Sequence, residues 1–251
     1  MLYFIKLICP ASLLFLYVST AFGGIENRPL NTDEAYIIEK NAVMIALGYT
    51  FVRESSRERE NDFTIDLGYG ILERLEITAD FPVIFLNPRE GSYAKGIGDI
   101  AGRLEYALLE ETPVWPASST ALIIKIPSGN EEEDLGSGGT DYAISQQFSK
   151  TFNRLALHAN VGYTFVEGGD NTIFLASAFE YELPPIVDLK VVGEIWGEVP
   201  PASAADDSIY EMLFGLIYKL SPHCNLDFGA GYGLKSPSAQ CRLTTGVAFE
   251  F

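Results

Sequence analysis

Hydrophobic and polar positions alternate with a period of two along most of the chain, the mark of strands that present one apolar face. From Asp62 to Ile71, the side chains of Phe63, Ile65, Leu67, Tyr69 and Ile71 share one face, opposite Asp62, Thr64, Asp66, Gly68 and Gly70. Leu75, Ile77, Ala79, Phe81, Val83 and Phe85 repeat the pattern against Glu76, Thr78 and Asp80, and it returns over 155–165, 226–234 and 243–251. Twelve such runs stand at 41–53, 60–71, 74–85, 97–108, 118–127, 140–151, 154–166, 172–183, 187–197, 208–219, 224–234 and 241–251. Each is roughly 10–13 residues long, enough for a tilted strand to cross a bilayer and about twice an ordinary globular strand.

The connectors add a second signal. Leu72-Glu73, Phe152-Asn153, 184–186 and 220–223 are short, whereas 86–96, 128–139 and 198–207 are longer and richer in charge or glycine. Short turns at one end and long loops at the other are typical of an outer-membrane barrel, although the short loop 167–171 and the longer turn 110–117 blur the contrast. A soluble β-sandwich also alternates, but it uses short strands and turns its apolar face inward. Strand length and the even count favour an all-β fold: a single transmembrane antiparallel β-barrel of about 12 strands over 41–251. Its apolar face then meets lipid and its polar face lines a lumen.

Upstream, Lys6 precedes an apolar stretch from Leu7 to Val18 and the small residues Ser19-Thr20-Ala21. Residues 1–23 read as a cleaved secretory signal peptide; the alternative, a membrane helix, is disfavoured by length. Residues 24–40 are expected to be a periplasmic N-terminal segment. The expected location is the outer membrane of a diderm bacterium, with outer-membrane lipid, the barrel insertion machinery and a small-molecule solute as partners. Among 251 residues, 34 acidic against 17 basic side chains give a formal charge of −17. That balance speaks against nucleic acid, since little here could displace counterions from phosphate.

The inward face carries the candidate chemistry. It holds Asp66, Glu76, Asp80, Arg103, Glu105, Lys125, His158, Asn160, Glu180, Lys190, Glu194 and Asp227, together with Glu182, Glu211 and Lys219. Charges in such a wall persist when they pair or line water. They form a stiffening salt-bridge network, a net acidic conduit favouring cations or neutral solutes, or both. His158 is the one inward histidine, too little for a zinc site, and no metal or cofactor is expected. A register set by Phe152-Asn153 puts Ser145 opposite Asn160 and near His158, a serine–histidine pair of the kind hydrolases use. All three face inward, away from lipid, so no enzyme is expected. The glycines of Gly229-Ala230-Gly231-Tyr232-Gly233 lack a following helix to bind phosphate and are read as small residues that let the wall curve. The acidic run Asn130–Asp134 is read as a solvated loop. Cys224 and Cys241 fall at opposite ends of a hairpin, too far apart to bridge. Phe251 is either an assembly signal for barrel insertion or the last girdle aromatic, alongside Tyr49 with Phe51 and Tyr163 with Phe165.

Several short motifs, in order, carry a wider resemblance. They are Leu30-Asn31-Thr32-Asp33, Tyr69-Gly70-Ile71-Leu72-Glu73-Arg74-Leu75-Glu76, Gly96-Ile97-Gly98-Asp99, Ile126-Pro127-Ser128-Gly129, Gly138-Gly139-Thr140-Asp141-Tyr142 and His158-Ala159-Asn160-Val161-Gly162-Tyr163. With them the chain resembles a family of outer-membrane proteins named for the meta-cleavage pathway of phenol degradation, with Ser128 standing where Thr is expected. The resemblance implies a barrel that moves small solutes, aromatic or hydrophobic ones among them, and supplies no catalytic or binding residues. Passive passage of small solutes is the expected function. A non-conducting structural or surface-interaction barrel is the alternative, followed by an outer-membrane lipid hydrolase.

Overall fold

The computed structural model describes residues 28–54, 59–87, 92–184, 188–201, 208–235 and 238–251. The expected signal peptide and residues 24–27 lie outside these. The alternating runs form β1 (Val43–Arg53), β2 (Arg59–Leu72), β3 (Leu75–Asn87), β4 (Ala94–Ile97), β5 (Ile100–Leu109), β6 (Ala117–Ile126) and β7 (Asp141–Phe152). They continue with β8 (Leu155–Phe165), β9 (Thr172–Glu182), β10 (Leu189–Val199), β11 (Ile209–Ser221), β12 (Cys224–Gly233) and β13 (Cys241–Glu250). Apart from β4 and β5, which both pair with β3, neighbours in sequence pair antiparallel, and β1 pairs with both β2 and β13, which closes the sheet into a twelve-stave barrel. Strand limits agree with the periodicity to within about three residues, the usual softness of element ends.

The short β4 was not expected. It and β5 form one stave with a break. β3 pairs β5 from Leu75 to Asp80, then pairs β4 from Val83 to Leu86. At the break the Gly98 N–H donates to the Pro82 carbonyl (2.9 Å). Pro82 has no N–H of its own, and proline is tolerated in a sheet where the ladder is interrupted. The loop after β6 seals the break: Asp99 accepts from the backbone N–H of Gly129 (3.0 Å) and of Ser137 (2.8 Å).

Apolar side chains point out and polar ones in. Phe63, Ile65, Leu67, Tyr69, Leu122, Ile144, Leu175 and Phe214 are exposed on the outer wall. Such a wall in water costs about 25 cal/mol per Å² of apolar surface left wet; lipid removes that cost. The buried atoms lie inside the ring.

One register expectation is corrected. The turn between β7 and β8 is Asn153-Arg154, with Phe152 paired to Leu155 and Asn153 in the left-handed region (φ 58). That moves the pairing two residues from the expected one. Ser145 faces Gly162, Gln147 faces Asn160 and Ser149 faces His158. Cys224 and Cys241 are free, the first paired with Phe249 and the second with Arg53 at the other end of the barrel.

Candidate functional site

The lumen is occupied by the chain's own residues 28–40. Residues 24–40 are expected as a periplasmic segment; the described ones, from Arg28 on, lie against the inward side chains of the strands. Leu30, Asn31, Thr32, Asp33, Ala35 and Ile38 are all buried, Thr32 completely. The segment forms no helix or strand before the bridge between Lys40 and Gly70. Backbone donors buried without a sheet or helix need other acceptors, and here strand side chains provide them.

Glu194 on β10 accepts from Asn31 N (2.9 and 2.8 Å to its two oxygens) and Asn31 Nδ2 (2.8 Å). It also accepts from Thr32 N (2.9 Å) and Thr32 Oγ1 (2.8 Å). Asn160 on β8 accepts from Asp33 N (2.6 Å) and returns a bond from its Nδ2 to the Asp33 carbonyl (2.9 Å). Ser149 on β7 accepts from Ala35 N (2.8 Å), and its hydroxyl is held 2.9 Å from His158 Nδ1. Glu76 on β3 accepts from Ile38 N (2.6 Å). The Asp33 carboxylate pairs with Arg103 Nη1 at 2.6 Å, and Arg103 also pairs with Glu105 at 2.5 Å. Hydrogen bonds to charged groups contribute roughly 1.5–3 kcal/mol each, so strands that are distant in sequence grip one peptide.

The far end of the segment is held by charge. Arg28 Nε lies 3.5 Å from Asp227 and Nη1 lies 3.8 Å from Asp66. Asp66 faces Asp80 across β2 and β3. Room for the segment comes from inward glycines. A Cβ on Gly48 would stand 2.2 Å from Arg28 Nη1, one on Gly70 2.1 Å from the Glu39 carbonyl oxygen, and one on Gly215 2.7 Å from Pro29 Cγ. In Gly229-Ala230-Gly231-Tyr232-Gly233, the first glycine likewise clears Pro29 (2.9 Å). Wall curvature alone does not account for these positions; an inner peptide does.

Three other inward cations pair away from the segment. Lys125 meets Asp141 (2.5 Å) and Asp99 (3.6 Å), Lys190 meets Glu180 (2.7 Å), and Arg242 meets Glu211 (2.9 Å). Glu182 and Lys219 are exposed, near the short-turn ends of their strands. Among the described residues, no three His, Cys, Asp or Glu side chains are arranged to hold a metal. Phe251 is 69% exposed, its N–H donating to the Val43 carbonyl (2.9 Å) and its ring stacked on Phe249.

At the mouth, Tyr36 donates to Glu111 in the turn after β5; Glu111 also accepts from Thr151 N (3.0 Å) and pairs with Lys150 (2.9 Å). The Tyr36 hydrogen bond above all holds the Glu111 carboxyl down at about 2. Burial, and then the bond to Glu111, push the Tyr36 phenol up to about 12.

One inward feature was missed from the sequence. Toward the long-loop end, Ile123, Phe174, Trp196 and Ile209 pack with Ala121, Ala143 and Ala176 into a buried apolar patch. The Phe174 and Trp196 ring centroids are 6.2 Å apart, and the Arg242 guanidinium lies 5.9 Å over Trp196. The signal was present, since Phe174 and Trp196 have the inward parity of Ala176 and Glu194 on their own strands.

Solved barrels share this architecture. The COG4313 outer membrane channel from Pseudomonas putida F1 superposes with a TM-score of 0.63 at 14% identity, covering 87% of this chain and 97% of that one. The KdgM porin gives 0.56 at 10% identity (82% and 99% covered), and the NanC porin 0.55 at 14% (82% and 98%). At these identities the likeness is one of fold. A comparison with characterised protein sequences finds no match. Over residues 26–251 the sequence matches the profile of the family described as "Putative MetA-pathway of phenol degradation", and the chain belongs to that family.

Proposed function

We propose that this protein is an outer-membrane channel for small solutes whose lumen is closed, in the conformation seen, by its own residues 28–40. The observation that carries the reading is the seat of that segment. Its backbone is bonded to side chains of β3, β7, β8 and β10 and to no backbone ladder before Lys40. A polar peptide held by side chains can leave without breaking a strand pairing; water then replaces it along a polar wall. The exposed apolar exterior and the channel and porin folds it shares support the membrane setting. In this reading the short turns and both ends of the sheet face the periplasm, and solutes pass the apolar Phe174–Trp196 patch before reaching the polar half. That order suits small solutes with an aromatic or hydrophobic part.

The occupied lumen also supports a second reading, a non-conducting structural barrel stiffened by its inner peptide. Single-channel recording separates the two. Protein expressed from Met1 and purified from outer membranes is placed in a planar bilayer with unequal KCl. Rare openings are expected, becoming long-lived steps with a cation-leaning reversal potential when 28–40 are deleted. A deletion variant that is folded and silent establishes the structural barrel instead.

A further inference from the structure

Halfway up β1, at Gly48, the lumen wall forms a recess that holds one planar cation. Its floor is the paired Gly48 and Gly246; built Cβ atoms there would stand 2.2 Å from Arg28 Nη1 and 2.6 Å from Arg28 Nε. Any larger residue at either position would fill the space the guanidinium takes. Around the rim, Arg28 Nη2 donates to Thr244 Oγ1 (3.2 Å) and to the Thr245 carbonyl (3.2 Å). Asp227 and Asp66 flank it with carboxylates at 3.5 and 3.8 Å. Hydroxyl, carbonyl and two carboxylates around a flat slot match the fixed fork of a guanidinium better than a compact ammonium.

The occupant does not satisfy the recess. Arg28 Nε and Asp227 Oδ1 are buried without a hydrogen-bond partner, and the Asp227 side chain is 4% exposed. Tight guanidinium–carboxylate pairs close to about 2.7–2.9 Å; these stop well short. The cause lies in the tether: Pro29 is seated against Gly215 and Gly229, and Asn31 is anchored to Glu194. Arg28 therefore reaches the recess from a fixed neck and cannot settle deeper.

We propose that this recess is a binding site for small solutes bearing a guanidinium group, with Arg28 as a tethered occupant that such a solute displaces. The proposal deepens the channel reading and rests on it for its role in passage, though binding itself needs only the recess. An untethered guanidinium is free to close on Asp227 Oδ1, and its arrival expels the Arg28 side chain from the wall.

The test uses protein purified from outer membranes, with methylguanidinium as probe and tetramethylammonium as a cation of equal charge without donors. Binding is read by calorimetry and passage by single-channel current. Arg28→Ala is expected to bind methylguanidinium at least tenfold more tightly than the unmodified protein, and at least tenfold more tightly than it binds tetramethylammonium. Adding Asp227→Asn to Arg28→Ala removes at least tenfold of that affinity. Arg28→Lys, which keeps the charge in place, serves as the second variant should Arg28→Ala fold poorly; its weaker filling of the slot still admits the probe. Equal binding of both cations, or affinity unmoved by Asp227→Asn, overturns the proposal. Binding as described in a barrel that never conducts upholds the site and sinks the channel; conduction in Arg28→Ala with no methylguanidinium binding does the reverse.

Discussion

Glu194→Ala is the most direct test of how the inner segment is held. Its carboxylate receives five hydrogen bonds, three from Asn31 and two from Thr32, and the residue is 5% exposed. Truncation leaves the Asn31 and Thr32 amides facing a methyl group. Removing one side of a buried charged contact costs roughly 3–5 kcal/mol, less than the sum of five separate bonds because the bonds share one anion. At about 1.4 kcal/mol per factor of ten, the released state gains between about a hundredfold and a few thousandfold in population. The barrel itself is unaffected, since the β10 ladder runs through backbone groups. The assay introduces Thr32→Cys with Cys224 and Cys241 changed to Ser, and follows labelling by a membrane-impermeant thiol reagent. With Glu194 present, a fully buried position 32 labels slowly; with Glu194→Ala, labelling accelerates by at least the lower bound and channel openings lengthen together with it. Glu194→Gln keeps one acceptor but turns an NH₂ group toward donors, and falls between the two. A folded Glu194→Ala variant with unchanged labelling and unchanged current would refute the assignment of Glu194 as the main anchor.

Arg103→Ala strands the Asp33 and Glu105 carboxylates and lowers stability by about 3–5 kcal/mol in urea unfolding followed by tryptophan emission; adding Asp33→Asn and Glu105→Gln recovers much of the loss. Gly70→Ala leaves the barrel folded but drives a methyl into the Glu39 carbonyl, so its conductance rises above that of the unmodified protein while its heat-induced gel shift stays put. The Tyr36–Glu111 contact has a pH window. Glu111 is depressed from 4.5 to about 2, so its contribution is present above 4.5 and lost as pH falls toward 2. Tyr36 is raised from 10.0 to about 12, so its contribution is present below 10 and lost as pH rises toward 12. Tyr36→Phe therefore lowers stability at pH 7 and much less at pH 2, with identical losses at both pH values counting against the contact. Deletion of Phe251 reduces the amount of folded barrel recovered from outer membranes without changing the current of the molecules that do assemble; full recovery removes the assembly-signal reading.

How much of this was legible beforehand depends on the distance over which each feature is encoded. Strand positions and faces were legible because the pleat alternates side chains residue by residue, and an outer wall in lipid leaves no freedom to place Phe63 or Leu175 elsewhere. The opposition of Asp66 and Asp80 was not, since it depends on the turn falling at Glu73-Arg74, with Leu72 paired to Leu75, and on a bulge between Gly70 and Leu72. The Ser145 pairing failed by two residues because the left-handed residue of that turn is Asn153, and period-two patterning is blind to a shift of two. The fourth stave's break around Gly98 and Asp99 was invisible to a pattern that reads each run as whole.

A barrel of long strands, apolar outside and charged within, is already written in the order of residues, because alternation and strand length are local properties of the chain. What the inward charges do is fixed by the closed ring. Residues 28–40 carry no periodicity, since their partners are the side chains Glu76, Ser149, Asn160 and Glu194, delivered by strands that closure alone brings around one axis. An inward acid reads the same on paper whether it lines water or grips a peptide. Which of the two it does depends on what lies across the lumen, and that distance exists only after the ring has closed.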